Sequence, residues 1–176
     1  GCLIGSDALE RYEDASKLPE ERSTQEMARH FNHFMTNLAS NECFALPDGR
    51  IMTNETVLVH FLRELRNLTG FCEDISFVHT AKWSETAKDR LLSAAKEAGF
   101  SDAMLMEAPL AALMAAEREN ETIGAHAIVI DAGESRTTVT KVKKSSSGWH
   151  ATAQEQDTLF CGERATKTLY ELAEKR

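Results

Sequence analysis

Ala127-Ile128-Val129-Ile130 runs into Asp131-Ala132-Gly133-Glu134-Ser135-Arg136, and Thr137-Thr138-Val139-Thr140 follows. An apolar run that ends in an acid and a glycine reads as a buried strand and a tight turn. The strand leaving the turn alternates: Thr138, Thr140 and Val142 face one way, Thr137, Val139 and Lys141 the other. A strand-end carboxylate can face a metal ion, and a glycine-rich turn can offer backbone N–H groups to phosphate oxygens. This turn keeps Gly133 alone, and Glu134 puts negative charge where a phosphate would lie. The hairpin is intact while its phosphate chemistry is damaged.

Each polar residue here also has a structural reading. Asp131 at a strand end can cap its own turn through an Asx bond. Arg136 could grip a phosphate as a bidentate fork, but it can equally pair with Glu134 or stay in water. His30 and His33 lie three apart at helical spacing, yet no carboxylate or cysteine completes a ligand set, so a surface or core role is expected. Lys141, Lys143 and Lys144 read as a solvated strand edge that discourages strand addition.

The elements that must position these groups follow from periodicity and punctuation. Ser6 to Ser16 reads as a polar helix, with a turn near Leu18-Pro19. Glu21 to Ala39 carries Met27, Phe31, Phe34, Met35 and Leu38 at helical spacing and reads as one amphipathic helix. Pro47-Asp48-Gly49 between two apolar runs predicts a hairpin. Thr53 or Asn54 caps a helix to Leu68, and Gly70 ends it. Ile75 to Thr80 reads as a strand. Ser84 caps a helix that runs to Ala98 and stops at Gly99. Met104 to Met106 is a short strand, and Pro109 opens a helix through Glu119. Ser145 to Gly148 turns the chain into a strand from Trp149 to Gln156, and a closing helix follows Cys161-Gly162-Glu163. Alternating helices and strands followed by a run of strands predict an α/β layered fold. The strands near residues 75–80, 104–106, 127–131 and 136–143 are expected in one sheet, covered by the helices 84–98 and 109–119.

Composition narrows the class. The 176 residues suit one domain or two small ones, and a hydrophobic fraction of 42% suffices for a core. A net charge of −8 argues against nucleic acid and anionic membranes as partners. No apolar run nears the roughly 20 residues a membrane helix needs. The 4 cysteines include no C-x-x-C pair, which fits reduced thiols in a cytoplasmic setting. The chain begins without Met at a strand end and stops inside a helix, which suggests a piece of a longer protein.

Taken together, the second half resembles the nucleotide-binding domain of the seventy-kilodalton heat-shock chaperone family, a branch of the actin-like ATPases. Val78-His79-Thr80-Ala81-Lys82-Trp83-Ser84-Glu85 is similar to that family's V-P-A-Y-F-N-D strand end, and its helix ends at the same Ala-Gly-Phe. Glu107-Ala108-Pro109-Leu110-Ala111-Ala112 is similar to N-E-P-T-A-A. Residues 131–140 resemble D-L-G-G-G-T-F-D-V-S, and Phe160-Cys161-Gly162-Glu163 resembles L-G-G-E. Before residue 70 only Leu3-Ile4-Gly5 with Asp7-Ala8 shows a likeness, to the V-G-x-x-A entry.

The resemblance implies an actin-like ATPase (ribonuclease H-like) lobe, a mixed sheet with helices on both faces, incomplete in this chain. Residues 1–70 would be the N-terminal part of a first lobe. Residues 71–176 would be the core with its phosphate hairpin and the start of a second lobe. It further implies ATP or ADP with magnesium as cofactor, with Asp131, Gly133, Gly162 and Glu163 as the surviving cofactor-binding positions. The departures are in the chemistry. The catalytic Glu position is Ala108, with Glu107 one residue early. The family's interdomain switch Pro is Thr80, and the Arg on the following helix is Lys88. The first phosphate hairpin, G-I-D-L-G-T-T, has no counterpart in these residues. The expectation is a divergent co-chaperone or scaffold in protein folding and the stress response. It would not hydrolyse ATP and would not bind it through this chain alone. Its partners would be chaperones, with unfolded polypeptide only if a substrate-binding domain exists elsewhere. Two alternatives stay open: an active ATP-dependent chaperone with further site residues elsewhere, and an interaction module with no nucleotide role.

Overall fold

The computed structural model describes residues 3–27, 29–31, 34–35, 38–70, 72–80, 82–119 and 122–174. It is mixed α/β. The chain divides into two compact units, one of Gly1–Phe77 with Trp83–Leu105, the other of Val78–Lys82 with Met106–Arg176.

The first unit opens with α1 (Ser6–Ser16) and α2 (Glu20–Met27), then the antiparallel hairpin of β1 (Cys43–Ala45) and β2 (Ile51–Thr53). Helix α3 (Asn54–Leu68) begins where expected: the Thr53 hydroxyl accepts the Thr56 N–H at 3.1 Å. Helix α4 (Glu85–Ala98) starts in the same way, with Ser84 accepting from the Ala87 N–H at 3.2 Å. It ends at Gly99, whose φ of 101° is open to glycine at little cost. Leu58 and Leu62 of α3 meet Leu91, Ala95 and Ala98 of α4, and Leu38 and Phe100 complete this core. The alanines of α4 let the two helices approach closely, and burial of Leu and Phe supplies the driving force.

The expected helix over residues 21–39 is cut short. Helix α2 ends at Met27, and the described residues beyond it lie in turns. The Arg29 and His30 N–H groups bond to Glu26 and Met27, a tighter spacing than an α-helix uses. His30 Nδ1 sits 3.0 Å from the Glu26 carbonyl, the acceptor that the next helical bond would need. Phe31 and Phe34 pack edge-on to Phe44 and tilted on Phe61, so tertiary aromatic contacts replace the regular helix. Residues 28, 32, 33, 36 and 37 of that expectation lie outside the described ones.

Strands β3 (Asp74–His79) and β4 (Asp102–Glu107) pair with each other in a two-stranded sheet. In the second unit, β5 (His126–Ala132), β6 (Thr137–Ser145) and β7 (Gly148–Asp157) form an antiparallel meander in chain order. The single-sheet expectation is therefore corrected: the described strands fall into three separate sheets. Strand β6 is central, so its lysines do not guard a sheet edge as expected. The predicted alternation holds, with Thr138, Thr140 and Val142 buried. A bulge interrupts the β6–β7 ladder between Lys141 and Val142, and the Thr152 hydroxyl donates to the Lys141 carbonyl at 3.1 Å.

Helix α5 (Ala108–Arg118) has Pro109 in its first turn, where the missing N–H costs nothing. Its Leu113 packs with Val142 and Trp149 in a small second core, joined by Leu110, Ala127 and Val129. Helix α6 (Gly162–Glu174) closes the described chain. No helix among the described residues is long and apolar enough to cross a membrane.

Candidate functional site

The register of β5 and β6 pairs Asp131 with Thr138 and Ala132 with Thr137, so the turn spans residues 133–136. The Gly133 N–H closes it by donating to the Arg136 carbonyl at 2.9 Å. A side chain on Gly133 would bring a Cβ within 3.1 Å of that carbonyl oxygen, so glycine fits the turn best.

The turn is spliced onto the start of α6. The Gly162 N–H donates to the Gly133 carbonyl at 3.1 Å, and the Glu163 N–H donates to the Glu134 carbonyl at 2.9 Å. The Thr137 hydroxyl donates to the Phe160 carbonyl just before the helix. Free N–H groups at a helix start are what make it an anion site. Here two of them are already spent on the turn's carbonyls. The Glu134 side chain lies over Gly162 so closely that a Cβ there would sit 2.5 Å from Glu134 Oε2. Residues 133–134 and 162–163 thus come together through main-chain bonds of their own.

Asp131 points elsewhere. Its carboxylate is exposed and opens onto a recess of about 210 Å³, counting open solvent, that Thr80, Ala108, Pro109, Thr138 and Gln154 also line. The enclosed part is no larger than a single water. Among the described residues Asp131 makes no side-chain hydrogen bond, and the turn is closed by the Gly133–Arg136 backbone bond in place of the expected Asx cap. The Thr80 and Thr138 hydroxyls are buried without a protein partner, while Gln154 Nε2 donates to Thr140 Oγ1 at 3.1 Å. Thr138 and Thr140 carried no sequence signal beyond strand alternation, and Thr80 only its place at the switch Pro of the resemblance.

Other candidate residues scatter. Glu107 is the N-cap residue of α5 without making a side-chain cap, and its Oε2 is buried without a partner. Ala108 presents only a methyl group to the recess. No ion pair joins Glu134 and Arg136 among the described residues, so of the two structural readings of Arg136 the pairing is not realised. His30 lies edge-on to Tyr12 at 5.2 Å, and His33 falls outside the described residues. Among the described residues no group of three His, Cys, Asp or Glu side chains could hold a metal ion. Lys144 pairs with Glu117, which fastens α5 to the sheet. The Lys144 ammonium also lies 5.5 Å from the Trp149 ring centre. The hydrogen bond from Lys144 holds the Glu117 carboxyl below its ordinary range, with a smaller contribution from Trp149.

No family model matches this chain, and no curated protein shows significant similarity to it.

Proposed function

We propose that this protein is a divergent relative of the seventy-kilodalton heat-shock chaperones that works as a non-hydrolysing co-chaperone or scaffold in the cytoplasm. The observation that carries the reading is the closure of the Asp131 turn. Phosphoryl transfer requires positioning and charge neutralisation by donors, cations and metal. The N–H groups of Gly162 and Glu163 are bonded to the turn, and Glu134 presents a like charge beside them. Ala108 at the catalytic position offers no carboxylate to order a water. Neither N–H group is left to receive a polyphosphate, so on this reading the hairpin serves as a brace between β5, β6 and α6.

The test is calorimetry of the chain with ATP and magnesium at millimolar concentration. No saturable heat is expected. A saturable signal in the micromolar range overturns the proposal and favours the active ATP-dependent chaperone. ATP turnover by the protein should be absent or very slow. Ala108→Glu alone should not restore it. Opening the turn as well (Glu134→Gly, Ser135→Gly, Arg136→Thr) should raise nucleotide affinity before it raises turnover.

A second reading, an interaction module with no nucleotide role, draws support from α6. Leu169, Tyr170 and Leu172 are exposed at 67%, 70% and 56% along that helix. Capture of chaperone partners by the wild-type chain, lost when Leu169 and Leu172 become Asp, supports both this reading and the scaffold. Capture that ATP abolishes supports neither.

A further inference from the structure

The tip of the β6–β7 hairpin carries polar chemistry that the proposed function does not use. Ser145 pairs with Gly148 across the hairpin, leaving Ser146 and Ser147 as its two-residue loop, and Gly148 adopts φ 115°. His150 Nε2 lies 2.8 Å from the Ser145 hydroxyl and 2.9 Å from the Ser147 hydroxyl. The two serine oxygens are 2.9 Å apart. All three serines and His150 are exposed. Ser and His alone do not make a nucleophile here, because no third group among the described residues orients the ring.

The charge pattern points to a different chemistry. The run Lys141-Val142-Lys143-Lys144 precedes the serines directly, a basic island in a chain whose net charge is −8. Lys143 and His150 are cross-strand partners, so both point to the same face at the hairpin tip. Protein kinases choose substrates by such charge patterns. Of the exposed serines elsewhere, Ser6 precedes Asp7, Ser16 follows Asp14, Ser84 caps helix α4, and Ser93, although it follows Arg90, lies inside that helix rather than in a loop.

We propose that Ser147 is a phosphorylation site for a serine kinase that reads basic residues on the N-terminal side, and that His150 with Lys143 holds the phosphoryl group. Ser147 is favoured over its neighbour by the bonds each makes. The Ser145 hydroxyl closes the hairpin, accepting the Ser147 N–H and donating to the Gly148 carbonyl, each at 3.2 Å. The Ser147 hydroxyl touches only Ser145 and His150. In the transfer, Ser147 Oγ attacks the γ-phosphorus of ATP. The Oγ–phosphorus bond forms, the bond to the bridging oxygen breaks, ADP leaves, and the hydroxyl proton passes to the kinase's base. The product carries about −1.5 to −2 charge at neutral pH beside an imidazole able to protonate. This inference is independent of the nucleotide reading.

The experiment incubates the whole chain with magnesium-ATP and a kinase that selects lysine or arginine before its serine, then maps phosphate by peptide mass spectrometry. Incorporation at Ser147 is expected, lost in Ser147→Ala and retained in Ser23→Ala. Circular dichroism of each variant shows whether it is folded. By NMR, the His150 imidazole resonances should move on phosphorylation. No incorporation, or phosphate carried on another residue, overturns the site. Unmoved His150 resonances overturn the cradle.

Discussion

Gly162 and Glu134 show how a single pair decides what a turn can do. The glycine is required at 162 because the Glu134 side chain and Cα occupy the space its side chain would need, the Cα lying 3.3 Å from the Cβ position. Gly162→Ala should therefore destabilise the second unit by about 1–3 kcal/mol, the usual cost of overpacking. With Glu134 reduced to alanine, the same substitution should cost less, because only the backbone contact remains. Thermal unfolding of the four proteins of this double-mutant cycle measures the coupling. Equal costs in both backgrounds would mean that the glutamate does not sit over the helix start. On the proposed reading, the pair opposes a phosphate twice over. Glu134 brings like charge, and it fills the space a phosphate oxygen would enter.

At the scale of elements, Arg90 of α4 ties together segments that no local signal connects. Its guanidinium donates to the carbonyls of Leu38 at 3.0 Å and Ser40 at 2.6 Å, to Asn41 Oδ1 at 2.8 Å, and meets Glu55 of α3 at 3.0 Å. A planar fork of five donors can serve several acceptors at once, which an ammonium cannot. Arg90→Ala should cost about 1–3 kcal/mol by leaving part-buried carbonyls unpaired, and Arg90→Lys should recover only part of it. Chemical denaturation with an unchanged slope checks both. The α3–α4 contact itself is apolar. Leu91→Ala should cost about 2–5 kcal/mol, since Leu91 is fully buried between the helices and its loss leaves a cavity. A cost well under that range would show that the helices can collapse onto the smaller residue.

For the molecule as a whole, the acid side of the stability curve carries a definite sign. Glu117 is held below its ordinary range by Lys144, and Asp48 by Arg50. A carboxyl with a lowered folded value stabilises the native state above its unfolded value. That contribution fades as pH falls through the folded value. Stability should therefore be steady near neutral pH and drop below about 4.5, where free glutamate begins to protonate. Glu117→Gln should flatten part of that drop while lowering stability at neutral pH. Unfolding followed between neutral pH and about pH 3 reads the difference. A parallel shift of the whole curve would remove Glu117 from the account. Asp48 is exposed and Glu117 half-buried, so salt should weaken the effect, more at Asp48 than at Glu117.

What the sequence determined by itself is local. Thr53 and Ser84 start helices because their hydroxyls reach an N–H three residues on. Gly99 and Pro109 mark an end and a beginning through their own backbone preferences. The β6 faces follow from strict alternation. The fold class, mixed α/β, follows from the order of these elements. The Asp131 hairpin was legible for the same reason, as a strand, a glycine turn and a strand. What only the tertiary structure decided depends on residues far apart in sequence. Helix α2 stops early because His30 takes a backbone carbonyl and Phe31 and Phe34 find rings on other elements. The strands split into three sheets, since alternation tells a strand which face to bury but not which neighbour to pair with. The turn at 133–136 is closed because α6 returns its first N–H groups to it. That meeting joins residues 133–134 to 162–163, and no spacing rule within either segment contains it.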